Sequence, residues 1–462
     1  MLQLYNGIMT NKHHIKKSFT VTDIRKKDVF PDLTYRFSTL TETDSEVVLE
    51  RDFLGENPLH YYSDITAREL IVANNIIDIK NYLETKTEPR TFTWERVRAV
   101  SNNNRVTIDD AGFVSTMPRE EELGPILQEL ESQLDHSIPA EYADLIHVYV
   151  GKKVRGVLEK SIEERLSNLV NPESGLLLSG GLDSMSVGYL LSQAVDKTKV
   201  TAFTLKVDEN DQDVVRSREL AQRFNIDLAE VKIDLKESGL LIRIQRYSPA
   251  RELLYTRNIA EDIKLDDAIL DALKISGNPK KDNLFCAVAM HLIAPAIKEE
   301  GIKTVFCGEG PNEMINDYGF NPRDSGYPTE YKGDIAFRQA LTFGSKKTDR
   351  QLGRGGLPKH ALARMGKIFA HHGLRLEAPY FNREIARVMT RVPHVTSYDT
   401  IKQHLVGAMF QGEGLEKFIN GTSKEKFQDG SGLSRLLRGY DQQRLLDMFE
   451  SIYGIQKTGY LK

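Results

Sequence analysis

The stretch LLLSGGLDSMSVGYLL, residues 176–191, sets a polar, glycine-bearing interruption inside an otherwise apolar run. Leu176, Leu177 and Leu178 are apolar on both faces, the pattern of a central parallel strand. From Met185 onward the pattern reads as a helix. Between the two, Gly180 and Gly181 permit positive φ and close approach of backbone N–H groups to a ligand. Those N–H groups and the positive end of the helix dipole converge on one point, where a phosphate group fits. Asp183 stands where a carboxylate can hold Mg2+ against phosphates. A bare Gly-Gly between strand and helix more often serves the turn alone, so the rest of the chain has to decide.

Strand and helix patterns alternate after this stretch. KVTAFTLKVD reads as a strand, DVVRSRELAQRFN as a helix, DLAEVKID as a strand, KKDNLFCAVAMHLIAPAIKEEG as a helix and IKTVFCGEGPNE as a strand running into a loop. That order predicts an α/β domain with a parallel sheet and helices on both faces, turning mainly helical from about Asp324. Before it, residues 139–169 carry Tyr142, Leu145, Ile146, Tyr149, Val150, Val154, Val157 and Leu158 at the spacing of one long amphipathic helix packed on a core. Roughly the first 115 residues read as a small β-rich, sandwich-type domain. SEVVLERDFLGENPLHYYSD gives two strands around a turn, and ELIVANNIIDIKNYLE a strand passing into a helix. RVRAVSNNNRVTIDDAGF reads as a hairpin through Asn102–Asn104 followed by an Asp110–Gly112 turn. STMPREEELGP, residues 115–125, reads as a solvated linker. The expected domains are therefore 1–120 and 136–462, as a chain of 462 residues requires more than one core.

Composition narrows the class further. The chain is 40% hydrophobic and 28% charged with a formal net charge of −4, which gives no reason to expect nucleic acid or an anionic membrane as partner. Its two cysteines, Cys286 and Cys307, have no CxxC or histidine-rich spacing, so neither a disulfide framework nor a structural zinc is expected. The N-terminus lacks the order of a signal peptide and no apolar run reaches about 18 residues. A cytoplasmic protein is the expectation.

SGGLDS is more demanding than a bare Gly-Gly, and neither GxxxxGK[ST] nor a strand-following GxGxxG occurs. It resembles the pyrophosphate-binding loop of the PP-loop (N-type) ATP pyrophosphatases. Further stretches resemble the asparagine synthetase and β-lactam synthetase group within them. VFCGEGPNEMINDY, residues 305–318, is similar to that family's GEGxDE loop, and TSKEKFQDGSG, residues 422–432, to its KxxFxDG segment. ARMGKIFAHHGLRLEAPYF, residues 363–381, resembles a third motif through Arg364, Gly373 and Pro379–Phe381, but has Gly366 at an Asp/Asn position and Arg375 and Glu377 in exchanged order. That exchange fits either a preserved mutual salt bridge or a different substrate carboxylate. His371 and His372 read as helix-surface residues, with no third ligand in view. RDFLGENPLHYY resembles a stretch of the Ntn-type glutaminase domain fused to these synthetases, yet Leu2 stands where that domain needs its cysteine nucleophile.

The resemblance implies ATP and Mg2+ as cofactors. It implies that Ser179, Gly180, Gly181 and Ser184 hold pyrophosphate and Asp183 holds Mg2+, with Leu177, Leu205 and Gly308 around adenine and ribose. Glu309 is implied as the base toward the amine and Lys424 as the cation over the α-phosphate and tetrahedral centre. Asn312 replaces the aspartate of a second Mg2+ site; a neutral amide is the weaker ligand for a hard cation, and the neighbouring Glu313 could compensate. The implied activity is an AMP-forming amide ligase without glutaminase function, acting on a small-molecule or peptide carboxylate and an amine, with a homodimer left open. An ammonia-dependent asparagine synthetase and a non-catalytic nucleotide-binding scaffold are the alternatives; an RNA-modifying PP-loop thiolase lacks the paired cysteines it would need.

Overall fold

In this computed structural model the described residues are 2–5, 8–14, 20–27, 38–43, 46–51, 57–64, 66–86, 92, 96–100, 104–109, 114–118, 140–169, 173–196, 199–209, 211–315, 361–390, 392, 398–420 and 432–453. The chain divides into two compact units, Met1–Ser137 with Phe449–Lys462, and Ile138–Met448.

The first unit is β-rich. Strands β1 (Leu2–Tyr5), β2 (Ile8–His14), β3 (Thr20–Asp23), β4 (Ser38–Glu42), β5 (Glu46–Arg51), β6 (His60–Asp64), β7 (Glu69–Ala73), β8 (Val97–Ala99), β9 (Asn104–Asp109) and β10 (Val114–Pro118) join helix α1 (Ile76–Glu84). They form two sheets, ordered β1-β2-β3-β7-β6-β8 and β10-β9-β5-β4. Val21, Leu70, Val72 and Tyr61 from one sheet share a core with Val47, Leu49, Val106 and Ile108 from the other, as alternating inward positions of a sandwich do.

Two local expectations fail here. The segments either side of Asn102–Asn104 do not form a hairpin, because β8 pairs with β6 while β9 pairs with β5 and β10. Between them Val100 is fully buried and its N–H donates to the Leu59 carbonyl, so the chain crosses from one sheet to the other there. The expected linker begins as strand: β10 pairs with β9 through Val114–Pro118, and the rest of residues 119–125 lies outside the described residues.

The second unit holds the opening stretch. Helix α2 (Ala140–Ser167) leads into β11 (Ser174–Leu177), α3 (Leu182–Ala194), β12 (Val200–Lys206), α4 (Gln212–Phe224) and β13 (Asp227–Leu235). A hairpin of β14 (Leu240–Tyr247) and β15 (Leu253–Ile263) follows, then α5 (Leu265–Ser276), α6 (Lys281–Glu299), β16 (Thr304–Phe306) and α7 (Pro311–Met314). Helix α8 (Ala361–His371), strand β17 (Arg375–Glu377) and helices α9 (Arg383–Met389), α10 (Tyr398–Met409) and α11 (Glu416–Asn420) come next. The sheet order is β15-β14-β13-β12-β11-β16-β17, with β13, β12, β11, β16 and β17 parallel and the β14–β15 hairpin antiparallel. From β11 the chain runs outward to β12 and β13 and later returns to β16 on the other side. The carboxyl end of β11 is thus a topological switch point, where open α/β sheets bind ligands.

The long-helix expectation holds, and Val150, Val154 and Leu158 of its apolar stripe face inward, but Tyr149 does not. Tyr149 is 67% exposed, while Val150, Val154, Leu158, Ser161, Ile162 and Arg165 are buried. The inward face thus includes a serine and an arginine that a hydrophobic pattern cannot select. Their reason is local: Ser161 donates to the Pro379 carbonyl at 2.7 Å, and Arg165 Nη1 pairs with Glu377 Oε2 at 2.6 Å while Nη2 donates to the Phe381 carbonyl at 2.8 Å. Among the described residues no helix is long and apolar enough to cross a membrane.

Candidate active site

The SGGLDS turn links β11 to α3, and of its two glycines Gly180 takes the expected positive φ while Gly181, at φ −76°, does not. Gly180 adopts φ +73°, a conformation that costs a side-chain-bearing residue strain. Gly181 is the N-cap of α3, and the Met185 N–H donates to its carbonyl at 2.9 Å, starting the helix. Ser184 closes the turn: its hydroxyl accepts from the Ser179 N–H at 3.3 Å, lies 3.2 Å from Ser179 Oγ and donates to the Gly181 carbonyl at 3.0 Å. Helix α4 is tied to the same place, since Ser217 Oγ donates to the Leu178 carbonyl at 2.6 Å.

The second glycine loop leaves β16 directly against this turn. A Cβ built on Gly308 would lie 2.5 Å from the Asp183 carbonyl carbon and 2.5 Å from the Ser184 nitrogen. Only a glycine lets the two backbones meet this closely. Beyond it, Glu309 is half-buried and Pro311 opens the short helix α7, whose second residue is Asn312.

Above both loops lies a cavity of about 600 Å³. The structure brings Leu177, Ser179, Gly180, Gly181, Asp183, Ser184, Leu205, Gly308, Glu309 and Asn312 to its wall. Lys424 lies outside the described residues. Apolar lining comes from Phe203 on β12 and from Met290 and Ile293 on α6, with both cysteines, Cys286 and Cys307, also on the wall and in no disulfide. Polar groups cluster at the loop end, so one part of the cavity suits a flat apolar group and the other an anion.

Lys402 is a site residue that sequence reading missed. Its ammonium, carried by α10, bonds to Asp183 Oδ2 and lies 2.6 Å from Asn312 Oδ1. A lone lysine in an amphipathic helix carries no sequence signal for such a place. Two hard oxygens, one anionic and one amide, already converge on a single cation there, a donor set that fits Mg2+. Glu313 is buried and does not line the cavity, so the carboxylate nearest Asn312 in sequence does not join that set. Arg364 is also on the wall, with Nη1 donating to Asn283 Oδ1 at 2.7 Å. Arg216, from α4, faces the cavity as well.

The exchanged pair proves structural. Arg375 Nε lies 2.5 Å from Glu377 Oε1, and Glu377 is fully buried with Arg165 on its other oxygen. Neither Arg375 nor Glu377 lines the cavity. The histidine expectation is half corrected: His371 is exposed, but His372 Nε2 lies 3.1 Å from His291 Nδ1 on α6. Burial lowers both pKa values, that of His372 to about 3. Among the described residues no group of three or more His, Cys, Asp or Glu is arranged to hold a metal.

Residues 153–262 match the asparagine synthase family. Among solved structures, the NH3-dependent NAD synthetase of Campylobacter jejuni aligns over 67% of this chain and 97% of its own, at 14% identity and a TM-score of 0.27. The family match spans the SGGLDS turn, the strands on one side of it and α4.

Proposed function

We propose that the chain is an ATP-dependent, AMP-forming amide ligase. The asparagine synthase family match over residues 153–262 supports a carbon–nitrogen ligase that uses ATP in general terms. The observation that carries the finer reading is the convergence of the SGGLDS turn, Gly308–Glu309 and the Asp183/Asn312 oxygen pair on one cavity at the sheet's switch point. In the proposed first step an oxygen of the substrate carboxylate attacks the α-phosphorus of ATP. The α–β bridging P–O bond breaks and pyrophosphate leaves, giving an acyl-adenylate. Backbone N–H groups of the turn and the α3 dipole hold the departing anion. Mg2+, held by Asp183 with Asn312, would supply charge neutralisation on the phosphates. In the second step an amine nitrogen attacks the acyl carbon, the C–O bond to AMP breaks, and Glu309 accepts the amine proton. Lys424 would stabilise the oxyanion.

The acid and amine are read as a small-molecule or peptide pair in specialised metabolism. Glu309 on the cavity wall favours, as a second reading, ammonia as the amine and an asparagine synthetase reaction. Asp183→Ala is expected to abolish pyrophosphate release in the presence of substrate acid, and unchanged release would overturn the assignment. Addition of free ammonia against a panel of amines separates the two readings.

A further inference from the structure

Arg216 belongs to none of the motifs, yet its side chain reaches the same cavity as the SGGLDS turn. We infer that Arg216 is a pyrophosphate-binding residue of this chain, completing an anion seat that the turn alone begins; the inference rests on the ligase reading above.

The geometry is specific. Gly180 turns its open side toward α4, so that a Cβ there would come within 2.7 Å of Arg216 Cβ and 3.2 Å of the Asp213 carbonyl oxygen. The arginine stem therefore runs along the turn itself. Ser217, the next residue, fixes α4 to the end of β11 through its bond to the Leu178 carbonyl, so the register of Arg216 against the turn is set. Arg216 Nη2 donates to the Phe418 carbonyl at 2.9 Å, which orients the guanidinium.

Charge points the same way. Asp213 and Glu219 on its own helix favour the cationic form, but burial outweighs them and lowers the Arg216 pKa. A guanidinium nevertheless stays charged in the accessible pH range. A desolvated cation beside a phosphate-shaped turn gains most from an anion with oxygens spread over two phosphorus centres, because its planar fork can meet two of them at once. A turn of backbone N–H groups at one helix end engages chiefly one phosphate. The added cation extends the seat to the second.

The test uses inorganic pyrophosphate and AMP as separate probes in titration calorimetry on the full chain, with thermal unfolding as a fold control. Arg216→Ala and Arg216→Gln are expected to weaken pyrophosphate binding about tenfold or more, the loss of one charge-assisted contact. AMP affinity should stay within about twofold, and Arg216→Lys should recover part of the loss, as a point charge without the fork. Pyrophosphate affinity unchanged in Arg216→Ala while Asp183→Ala or Gly308→Ala loses it would overturn the inference and leave the ligase reading standing. Parallel weakening of pyrophosphate and AMP would also overturn it, since Arg216 would then act through the fold or the Phe418 contact. A wild-type chain that binds neither probe would overturn both.

Discussion

Gly308→Ala is the substitution whose outcome the site fixes most sharply. Its Cβ would lie 2.5 Å from the Asp183 carbonyl carbon, 2.5 Å from the Ser184 nitrogen and 2.8 Å from the Asp183 carbonyl oxygen. All three are backbone atoms, so no side-chain rotation relieves the clash. Reaching ordinary contact requires the two loops to part by roughly 1 Å in an interior packed to crystal density. The turn cannot yield locally, because Ser184 pins it to Ser179 and Gly181. Overpacking of this kind costs about 1–3 kcal/mol of stability. A misplacement of about 1 Å in the groups that orient the phosphates costs about a hundredfold in rate. ATP–pyrophosphate exchange and urea denaturation read the two effects separately. Gly181→Ala is the control for stability: the nearest atom to its Cβ is Ser179 Oγ at 3.5 Å, an ordinary contact, so the fold should lose no more than about 1 kcal/mol, an N-cap change. Exchange by Gly308→Ala within threefold of wild type, with an unchanged denaturation midpoint, would refute the reasoning.

Three further outcomes follow from particular contacts. Arg165→Met removes one of the cations paired with the fully buried Glu377 and should cost about 3 kcal/mol by chemical denaturation; no loss would mean that the pair is not what ties α2 to β17. His372 has its pKa lowered from 6.5 to about 3 by burial, with His291, His371 and Lys298 acting the same way. Its neutral form stabilises the fold fully above pH 6.5, and that contribution is lost progressively as pH falls from 6.5 toward 3. His372→Leu should flatten the wild-type decline in denaturation midpoint between pH 7 and 5, and an equally steep decline in the variant would contradict this. Lys402→Met removes the ammonium bonded to Asp183 and Asn312. ATP affinity should fall about tenfold, while less Mg2+ should be needed for half-saturation because the ammonium no longer competes for Asp183; an unchanged Mg2+ dependence in calorimetry argues against the shared site.

The fold was legible where period and turn chemistry agree. The β11–α3 unit, α4, β12, β13, α6 and β16 each show a plain pattern, and their alternation implies the parallel order. The β14–β15 hairpin escaped because LLIRIQRYSPARELLYTRNIAEDI interleaves charged and apolar residues without a short turn signature, and β15 is largely exposed as the sheet's edge strand. The supposed hairpin through Asn102–Asn104 failed because adjacent strands in sequence can enter different sheets of a sandwich. At the site, motif residues were readable because each has a backbone reason: positive φ at Gly180, close approach at Gly308, a closing hydroxyl at Ser184. Lys402 and Arg216 were not, since a cation's role depends on what the fold sets beside it. The inward polar positions Ser161 and Arg165 were hidden for the same reason, their partners lying more than 200 residues away.

The central claim is cleavage of ATP between the α and β phosphates on behalf of a carboxylate. The most direct test is phosphorus NMR of the products formed from Mg·ATP with a pool of candidate acids, with hydroxylamine as the trapping amine. Equal amounts of AMP and pyrophosphate, formed only with acid present and accompanied by a hydroxamate, are the predicted result, and Asp183→Ala should give none. ADP with inorganic phosphate, or AMP that appears without acid or hydroxamate, would contradict the account.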